Sequence, residues 1–338
     1  MKFNPELQKL YCEHCESTKE FEQKVNFHEY SLHEVIGNDY FYNREEAVVF
    51  NCSNCGAKIV LNEDQSSIVC PFCGTSHVQK TEELAGIKPT AIQPFLFGIK
   101  KAVEYAKNWA KKRFFAPRAF KSTLSPNNVK GVYTPAFTFD SETSSSYYGR
   151  IGKRHTRTVG SGKNKRTETY IVWRTISGNF NMNFDDVLIT AGTKFDQSKL
   201  NKISPYDTNS GKVFTEQYML GFMGYHYDRD IDSCWDEAKI VIDSNIKRGI
   251  LRQYNYDVVD YINISTTHEN VKYKYVLLPV YVGNFPFKKK VYNFYVNGAT
   301  GKTHGKTPIS FWKVFFTVLF GLAVLGGIAY LIYMGNIS

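Results

Sequence analysis

Cys52-x-x-Cys55-Gly56, followed after fourteen residues by Cys70-x-x-Cys73-Gly74, constrains the fold of this chain more than any other stretch. Two Cys-x-x-Cys pairs at that separation bring four thiolates to one tetrahedral Zn²⁺. The glycine after each second cysteine suits the tight, positive-φ turn that such a pair makes around a metal. Between the pairs, Lys58–Leu61 and Ser67–Val69 read as short strands on either side of a polar turn, Asn62–Ser66. The pattern predicts a rubredoxin-like zinc ribbon over residues 50–78, with Cys52, Cys55, Cys70 and Cys73 as ligands. Four thiolates fill the coordination shell, so the expected zinc is structural and not catalytic. A ribbon this small has little core of its own, so loss of Cys52 is expected to unfold 50–78 and leave 131–298 intact.

The C-terminal end sets a second constraint. Val314–Met334 is twenty-one residues without a charge, enough for a helix to cross a bilayer. Phe311 and Trp312 at one edge, with Tyr330 and Tyr333 at the other, fit interfacial aromatic belts. A single transmembrane helix is expected over 311–334. Lys288, Lys289, Lys290, Lys302, Lys306 and Lys313 precede the span, and no Lys or Arg follows it. The positive-inside rule then makes 1–312 cytoplasmic at the cell membrane, in a tail-anchored arrangement without an N-terminal signal sequence. Ala323 and Gly327 form a small-xxx-small pair, a pattern that favours homo-oligomer formation through the helix.

Six of the seven cysteines lie in Cys-x-x-Cys pairs, which in a reducing compartment points to metal and away from disulfides. Cys234, beside Trp235, reads as a small buried residue. Cys12 and Cys15 form half a metal site. Three completions stand open: a Cys₂His₂ set with His28 and His33, a degenerate unmetallated remnant, or a site finished by a partner chain.

The remainder reads as an α+β fold with an antiparallel sheet. Residues 1–49 are a partial zinc-ribbon remnant and a polar segment with an acidic helical stretch around Glu20–Ile36. Residues 79–130 are a linker (Lys80–Pro94) and a helix from Leu96 to about Phe115, with Ile99, Val103, Ala106, Ala110 and Phe114 at helical spacing and Trp109 in the core. Residues 131–308 form the α+β domain. Its strands are expected at Val132–Phe139, Ser146–Tyr148, Thr169–Trp173, Tyr254–Ser265, Val271–Val282 and Lys290–Val296, and its helix at Ser233–Ile250. Pro135 and Pro279 each interrupt an apolar strand in similar surroundings, a weak internal echo that suggests strands at sheet margins.

The formal net charge is +10, and Arg150–Arg174 holds eight Lys/Arg against Glu168 alone, +7 of that total. This segment reads as a hairpin with a Gly/Ser/Lys tip at Val159–Arg166. Arg150, Lys153, Arg154, Arg157, Lys163, Lys165 and Arg166 are candidate contacts for anionic lipid or nucleic acid. Near an anionic leaflet each is worth on the order of 1 kcal/mol, provided that the hairpin faces the bilayer. A solvated loop is the alternative. Nucleic-acid binding would recruit Tyr147, Tyr148, Tyr170 and Trp173 as stacking platforms, yet alternation in a strand suits cross-strand pairs. The ribbon's balanced charge (Lys58 against Glu63 and Asp64) and the anchor also weigh against it. For an enzyme, Asp185/Asp186 and the Asp228/Asp230/Asp232 strip near His226 are the carboxylate groups that stand out, and no nucleophile–base grouping accompanies them. The sequence lacks the G-x-x-x-x-G-K-[ST] pattern of a P-loop.

Cys52-Ser-Asn-Cys55-Gly-Ala, Cys70-Pro-Phe-Cys73-Gly, Pro94-Phe95, Arg113-Phe-Phe-Ala-Pro117 and Gly131-Val-Tyr-Thr-Pro-Ala-Phe-Thr-Phe-Asp140 continue through Phe184-Asp-Asp-Val-Leu188, Leu277-Leu-Pro-Val-Tyr281 and Asn297-Gly-Ala-Thr-Gly301. With these segments the chain resembles, over nearly its whole length, a bacterial family of tail-anchored zinc-ribbon membrane proteins. That family is often labelled TFIIB-type, or primosomal helicase-like, zinc ribbon protein. The resemblance implies a non-enzymatic membrane adaptor with protein partners such as SPFH-domain or phage-shock-type membrane-stress proteins. Such proteins usually begin with a second ribbon, of which Cys12 and Cys15 match the latter half.

Overall fold

The computed structural model describes residues 1–24, 28–32, 48–61, 69–76, 78–83, 86–122, 124–288 and 290–335. In chain order the elements are β1 (Lys2–Asn4), β2 (Lys9–Tyr11), β3 (Thr18–Lys19), β4 (Tyr30–Ser31), β5 (Val48–Cys52), β6 (Lys58–Leu61), β7 (Val78–Glu83) and β8 (Ala91–Ile92). Helices α1 (Ile99–Lys111) and α2 (Arg118–Ser122) lead into β9 (Val129–Val159) and β10 (Arg166–Thr190). Then come α3 (Gln197–Ile203), β11 (Lys212–Val213), β12 (Met223–Tyr225), α4 (Ile231–Arg252), β13 (Val258–Phe287), β14 (Lys290–Asn297), β15 (Thr303–Gly305) and α5 (Phe311–Gly335). The class is α+β, with a large mixed sheet and a small antiparallel one, β1-β2-β3.

The main sheet is built on the antiparallel pair β9 and β13, in register from Gly152↔Val258 to Val129↔Gly283 with two irregularities. β10 returns along the other edge of β9 from Arg166↔Val159 to Thr190↔Ala136, so the basic segment is a hairpin with its turn at Gly160–Lys165. The strands expected at 132–139 and 146–148 are one strand of 31 residues, and those at 254–265 and 271–282 are likewise one. The bulges at Phe184/Val187 and Glu269/Lys272 let these strands bend without breaking the ladder.

The prolines do not mark sheet margins, because β9 and β13 are central. Each lies where the lateral neighbour of its strand changes. On β9, β12 pairs in parallel with Val132 and Tyr133, whereas β10 pairs antiparallel from Ala136 onward. On β13, β8 pairs in parallel with Val276 and Leu277, whereas β14 pairs antiparallel from Val280 onward. Pro135 and Pro279 occupy the two seams. Their carbonyls accept from Ala191 N (3.0 Å) and Gly298 N (2.8 Å). The N–H and C=O of a strand residue point to the same side. The donor that each proline lacks would therefore face the seam, not the β9–β13 ladder.

The echo thus corresponds to a repeat of topology within the chain. Short strand, helix and two antiparallel strands occur in order as β8-α1-β9-β10 and again as β12-α4-β13-β14, related about the Thr134↔Leu278 pair. Each half lends its short strand to the long strand of the other. Ile92 precedes the first residue of α1 (Ile99) by the same seven positions that separate Gly224 from that of α4 (Ile231).

Residues 79–94 are not a linker. β7 pairs with β5, and β8 joins β13 to β11, so the described strands between 48 and 92 belong to the same sheet. The acidic stretch is not helical at 20–24. Phe21 turns inward onto Tyr218 (4.9 Å), while Glu20 pairs with Lys9 at 2.7 Å. Tyr30–Ser31 is a strand on β13, and 25–27 and 33–36 lie outside the described residues. The turn and strand expected over 62–68 also lie there. Within α1, Val103, Ala106 and Ala110 are buried and Ile99 is exposed; the helix ends at Lys111, so Phe114 lies beyond it, exposed.

Candidate metal centre

The first cysteine pair lies at the end of β5. Cys52 N donates to Ala57 O (3.0 Å) and Gly56 N to Cys52 O (2.7 Å), with Gly56 at φ +71°. The second pair repeats the turn. Cys70 N donates to Thr75 O (2.8 Å) and Gly74 N to Cys70 O (2.9 Å), with Gly74 at φ +75°. A positive φ one residue beyond the second cysteine is what the two glycines supply without strain.

These turns face each other. Cys52 Sγ lies 3.5 Å from Cys73 Sγ, Cys55 Sγ lies 3.6 Å from Cys70 Sγ, and all four sulfurs fall within 4.8 Å of one another. Tetrahedral Zn–S bonds of about 2.3 Å require sulfurs roughly 3.8 Å apart. The thiolates therefore have the number, spacing and chemistry for a divalent ion. Cys52 and Cys70 are buried, and burial pushes the thiol of Cys70 well up and that of Cys55 to about 11. Binding a metal here displaces protons that these sulfurs would otherwise keep at neutral pH.

Groups far along the chain hold the second turn in place. Asn284 Nδ2 on β13 donates to Pro71 O (2.7 Å), and Asn293 Nδ2 on β14 donates to Phe72 O (2.8 Å). Phe72 packs on Tyr225 of β12 at 5.0 Å. Sequence reasoning missed both asparagines, since an Asn in a strand carries no local sign that it clamps a turn more than two hundred residues away. Beside Cys55 and Cys73 opens a groove of about 610 Å³, whose lining includes Lys194, Lys199, Lys202, Lys290, Lys306 and His304. Four thiolates around a divalent ion carry a net −2, which these lysines oppose.

Cys12 and Cys15 form a third turn of the same design. Cys12 N donates to Ser17 O (3.0 Å) and Glu16 N to Cys12 O (2.9 Å), with Glu16 at φ +56° where the other turns have glycine. Among the described residues no third ligand joins them. The ring of His28 packs on Tyr30 at 4.7 Å, and His33 lies outside the described residues.

The carboxylates expected to stand together do so only in part. Asp228 accepts from Thr193 N and Oγ1 (2.7 Å each) and from the Tyr225 hydroxyl (2.6 Å). Asp230 caps α4 through Ser233 N (2.7 Å). That strip is therefore fastening and capping, not a ligand cluster. Asp185 and Asp186 do meet a third acid, Asp140, and Asp140 and Asp185 line a cleft of about 600 Å³. Asp186, at φ +54° on the β10 bulge, donates its N–H to Asp140 Oδ1 (2.8 Å). Its carboxylate pairs with Lys274, which is 2% exposed, at 2.7 Å. Glu29 reaches the same ammonium at 3.0 Å, and Thr208 Oγ1 donates to Asp186 Oδ2 (2.8 Å). Burial, together with the charges of Glu29 and Asp186, pushes Asp140 up to about 6 against the pull of the Asp186 N–H and Lys274. Lys274 was invisible in sequence, because a single lysine in an alternating strand reads as solvent-facing.

The basic candidates are strung along the β9–β10 hairpin, not gathered into a pocket. Arg150 pairs with Asp260 (3.6 Å) and Lys153 with Asp257 (3.5 Å), while Arg157 and Arg166 share Glu168 (3.3 and 2.9 Å). Arg154 gives its backbone N–H to Asp257 (2.8 Å). Lys165 is exposed, and Lys163 lies within the turn. Of the aromatic candidates, Tyr147 is buried against Tyr254, Tyr148 pairs across strands with Tyr261 (5.9 Å), and Tyr170 stacks on His155 (5.7 Å). Trp173 lies under Arg150 at 5.1 Å.

The hairpin tip follows the end of β9 opposite to the one beside the segment that joins α5. Ser310 N donates to Phe115 O (2.8 Å), a few residues before Phe120, which packs on Phe285 and Phe287. Those residues lie near Gly283, the partner of Val129. The tip follows Val159, at the other end of β9, a strand path of at most about 100 Å at ~3.3 Å per residue.

No family model matches the chain, and no solved structure matches it. The uncharacterized protein YdjG of Bacillus subtilis (strain 168) is similar to it, 27% identical over 237 residues that cover 69% of this chain and 68% of that protein.

Proposed function

We propose that this protein is a non-enzymatic, membrane-anchored zinc-ribbon adaptor. Cys52, Cys55, Cys70 and Cys73 hold a structural Zn²⁺ in a rubredoxin-like ribbon, and α5 fixes the domain to the cytoplasmic face of the membrane. The observation that carries this reading is the pairing of a closed four-sulfur site with a helix that no core covers. The four sulfurs are mutually within 4.8 Å, which leaves no coordination position for substrate or water. Residues Phe311–Ile332 have a mean hydropathy of 2.3 and are unburied throughout their most apolar stretch, long enough to cross a bilayer.

The β9–β10 hairpin suits a docking role. It projects polar and charged side chains, and Arg150 and Arg157 are paired with acids across strands, which blunts an edge against indiscriminate association. The resemblance suggests SPFH-domain or phage-shock-type proteins as partners, and membrane nucleic-acid binding is the competing reading. Affinity purification of the tagged full-length protein from membranes in mild detergent separates the two. Stoichiometric recovery of a membrane scaffold protein, without nucleic acid, is expected. Nucleic acid released by salt, with no protein partner, would overturn the adaptor reading.

A further inference from the structure

We propose that the turn Lys111–Phe115, at the end of α1, is a second membrane contact. Phe114 and Phe115 enter the interfacial layer, and Lys111, Lys112 and Arg113 meet anionic lipid headgroups. This rests on α5 spanning the bilayer, and it assigns the electrostatic contact to a segment other than the basic hairpin.

Phe114 is 65% exposed and Phe115 42%, with their rings 5.2 Å apart. Ile309 (72%), Phe311 (72%) and Trp312 (65%), from the segment that enters α5, are exposed as well. One exposed apolar side chain is ordinary, but large aromatic side chains exposed on two joined segments mark a surface that something covers. Continuity with α5 identifies the cover as the bilayer. Lys313, in the first turn of α5, donates its ammonium to the carbonyls of Phe114 and Ala116 (2.8 Å each) and lies 5.7 Å from the Phe114 ring. Ser310 N holds Phe115 O at 2.8 Å. The turn is therefore locked at the level where α5 begins, the depth at which Trp312 marks the interface. Hydrogen bonds to two of its carbonyls reduce the cost of taking its backbone out of water.

The charge is placed to match. Lys111, Lys112 and Arg113 are exposed and directly precede the two phenylalanines, with Arg113 5.0 Å from the Trp109 ring. Cations beside interfacial aromatics are the arrangement that binds an anionic leaflet, with Lys and Arg stems lying along the apolar layer.

The full-length protein is reconstituted into phosphatidylcholine vesicles with and without phosphatidylglycerol, carrying lipids brominated near the carbonyl region. Tryptophan emission is compared between the wild type, Phe114→Trp, Phe115→Trp and Tyr170→Trp. Both Phe variants are expected to show quenching and a blue shift beyond the wild type, stronger with phosphatidylglycerol. Tyr170→Trp, at the hairpin, is expected to show no more than the wild type. Lys111→Glu/Lys112→Glu/Arg113→Glu combined with Phe114→Trp is expected to lose the response to phosphatidylglycerol. Quenching of the wild type with no excess at either 114 or 115 would overturn this inference while leaving α5 in the bilayer. Absence of quenching even in the wild type, which carries Trp312, would defeat the spanning reading itself. Excess quenching only at 170 would move the contact to the hairpin.

Discussion

Asp140 shows how one half-buried carboxylate couples this fold to pH. Three acids, Glu29, Asp140 and Asp186, surround one ammonium, that of Lys274, so one of them is poorly compensated. Asp140 carries that deficit, with its folded-state pKa pushed up to about 6 from an ordinary 3.8. The sign follows from linkage. The folded state holds the Asp140 proton more tightly than the unfolded chain does. Its contribution to stability is therefore fully present below about pH 4 and is lost as pH rises through about 6. Asp140→Asn keeps an oxygen for the Asp186 N–H and removes the charge. It is expected to raise stability at pH 7.5 by about 1 kcal/mol, after allowance for solvent screening of a half-exposed group, and to flatten the pH 4–7 profile. Thermal unfolding of both proteins across that range measures it; parallel profiles would show that Asp140 does not titrate there. At the metal centre, Asn293→Ala removes the donor to Phe72 O. The loss of one part-buried hydrogen bond is expected to cost about 1–2 kcal/mol and to weaken zinc retention against a competing chelator.

The elements carry their own lesson about what the sequence made legible. The cysteine spacing announced two metal turns, and the apolar run announced α5, because each depends on chemistry a few residues wide. Helices α1 and α4 were readable from periodicity, and β13 and β14 from alternation. Strand length and partner were not, since these depend on bulges at Phe184/Val187 and Glu269/Lys272 and on the seams at Pro135 and Pro279. A proline tolerated at a seam cannot be told from one at an edge until the lateral neighbours are known. The close approach of β9 to β13 is equally non-local. A Cβ on Gly149 would sit 2.7 Å from Tyr261 O and 3.1 Å from Ile262 Cα, both backbone atoms of the neighbouring strand. Neither can swing aside. Gly149→Ala is therefore expected to destabilise by about 2–3 kcal/mol. Gly162→Ala, at the hairpin turn with open space around its Cβ but φ +61°, is expected to cost about 1 kcal/mol. Urea unfolding of the two variants tests the ranking, and a reversed order would mean that the strands part readily at Gly149.

At the scale of the whole molecule, the metal centre belongs to the sheet and is not an appendage. β6 pairs with β12, which lies parallel on β9, so β5, β6 and β7 extend the same hydrogen-bonded order that contains β13. Cys52, Cys70, Ile59 and Phe72 share one apolar cluster with Phe195, Met223, Tyr225, Val280, Val282 and Tyr295. The expectation that 50–78 unfolds alone when a ligand is lost treats the four cysteines as their own small core. These contacts make them part of a larger one. Zinc held by small structural sites contributes about 10–16 kcal/mol, comparable with the roughly 5–15 kcal/mol that keeps an ordinary domain folded. With zinc held there as proposed, a sheet that shares its core with the four cysteines cannot lose the ion without consequence. Chelation of the purified protein at neutral pH, or Cys70→Ser, is therefore expected to lower the melting temperature in a single transition. Amide exchange should accelerate not only over Val48–Glu83 but also in Val276–Val282, at the Val129–Gly283 end of the β9–β13 ladder. Exchange that quickens over 48–83 while Val276–Val282 keeps full protection would show two independent folding units. The asparagine clamps from β13 and β14 would then be fittings on the second cysteine turn and not a path by which the metal braces the sheet.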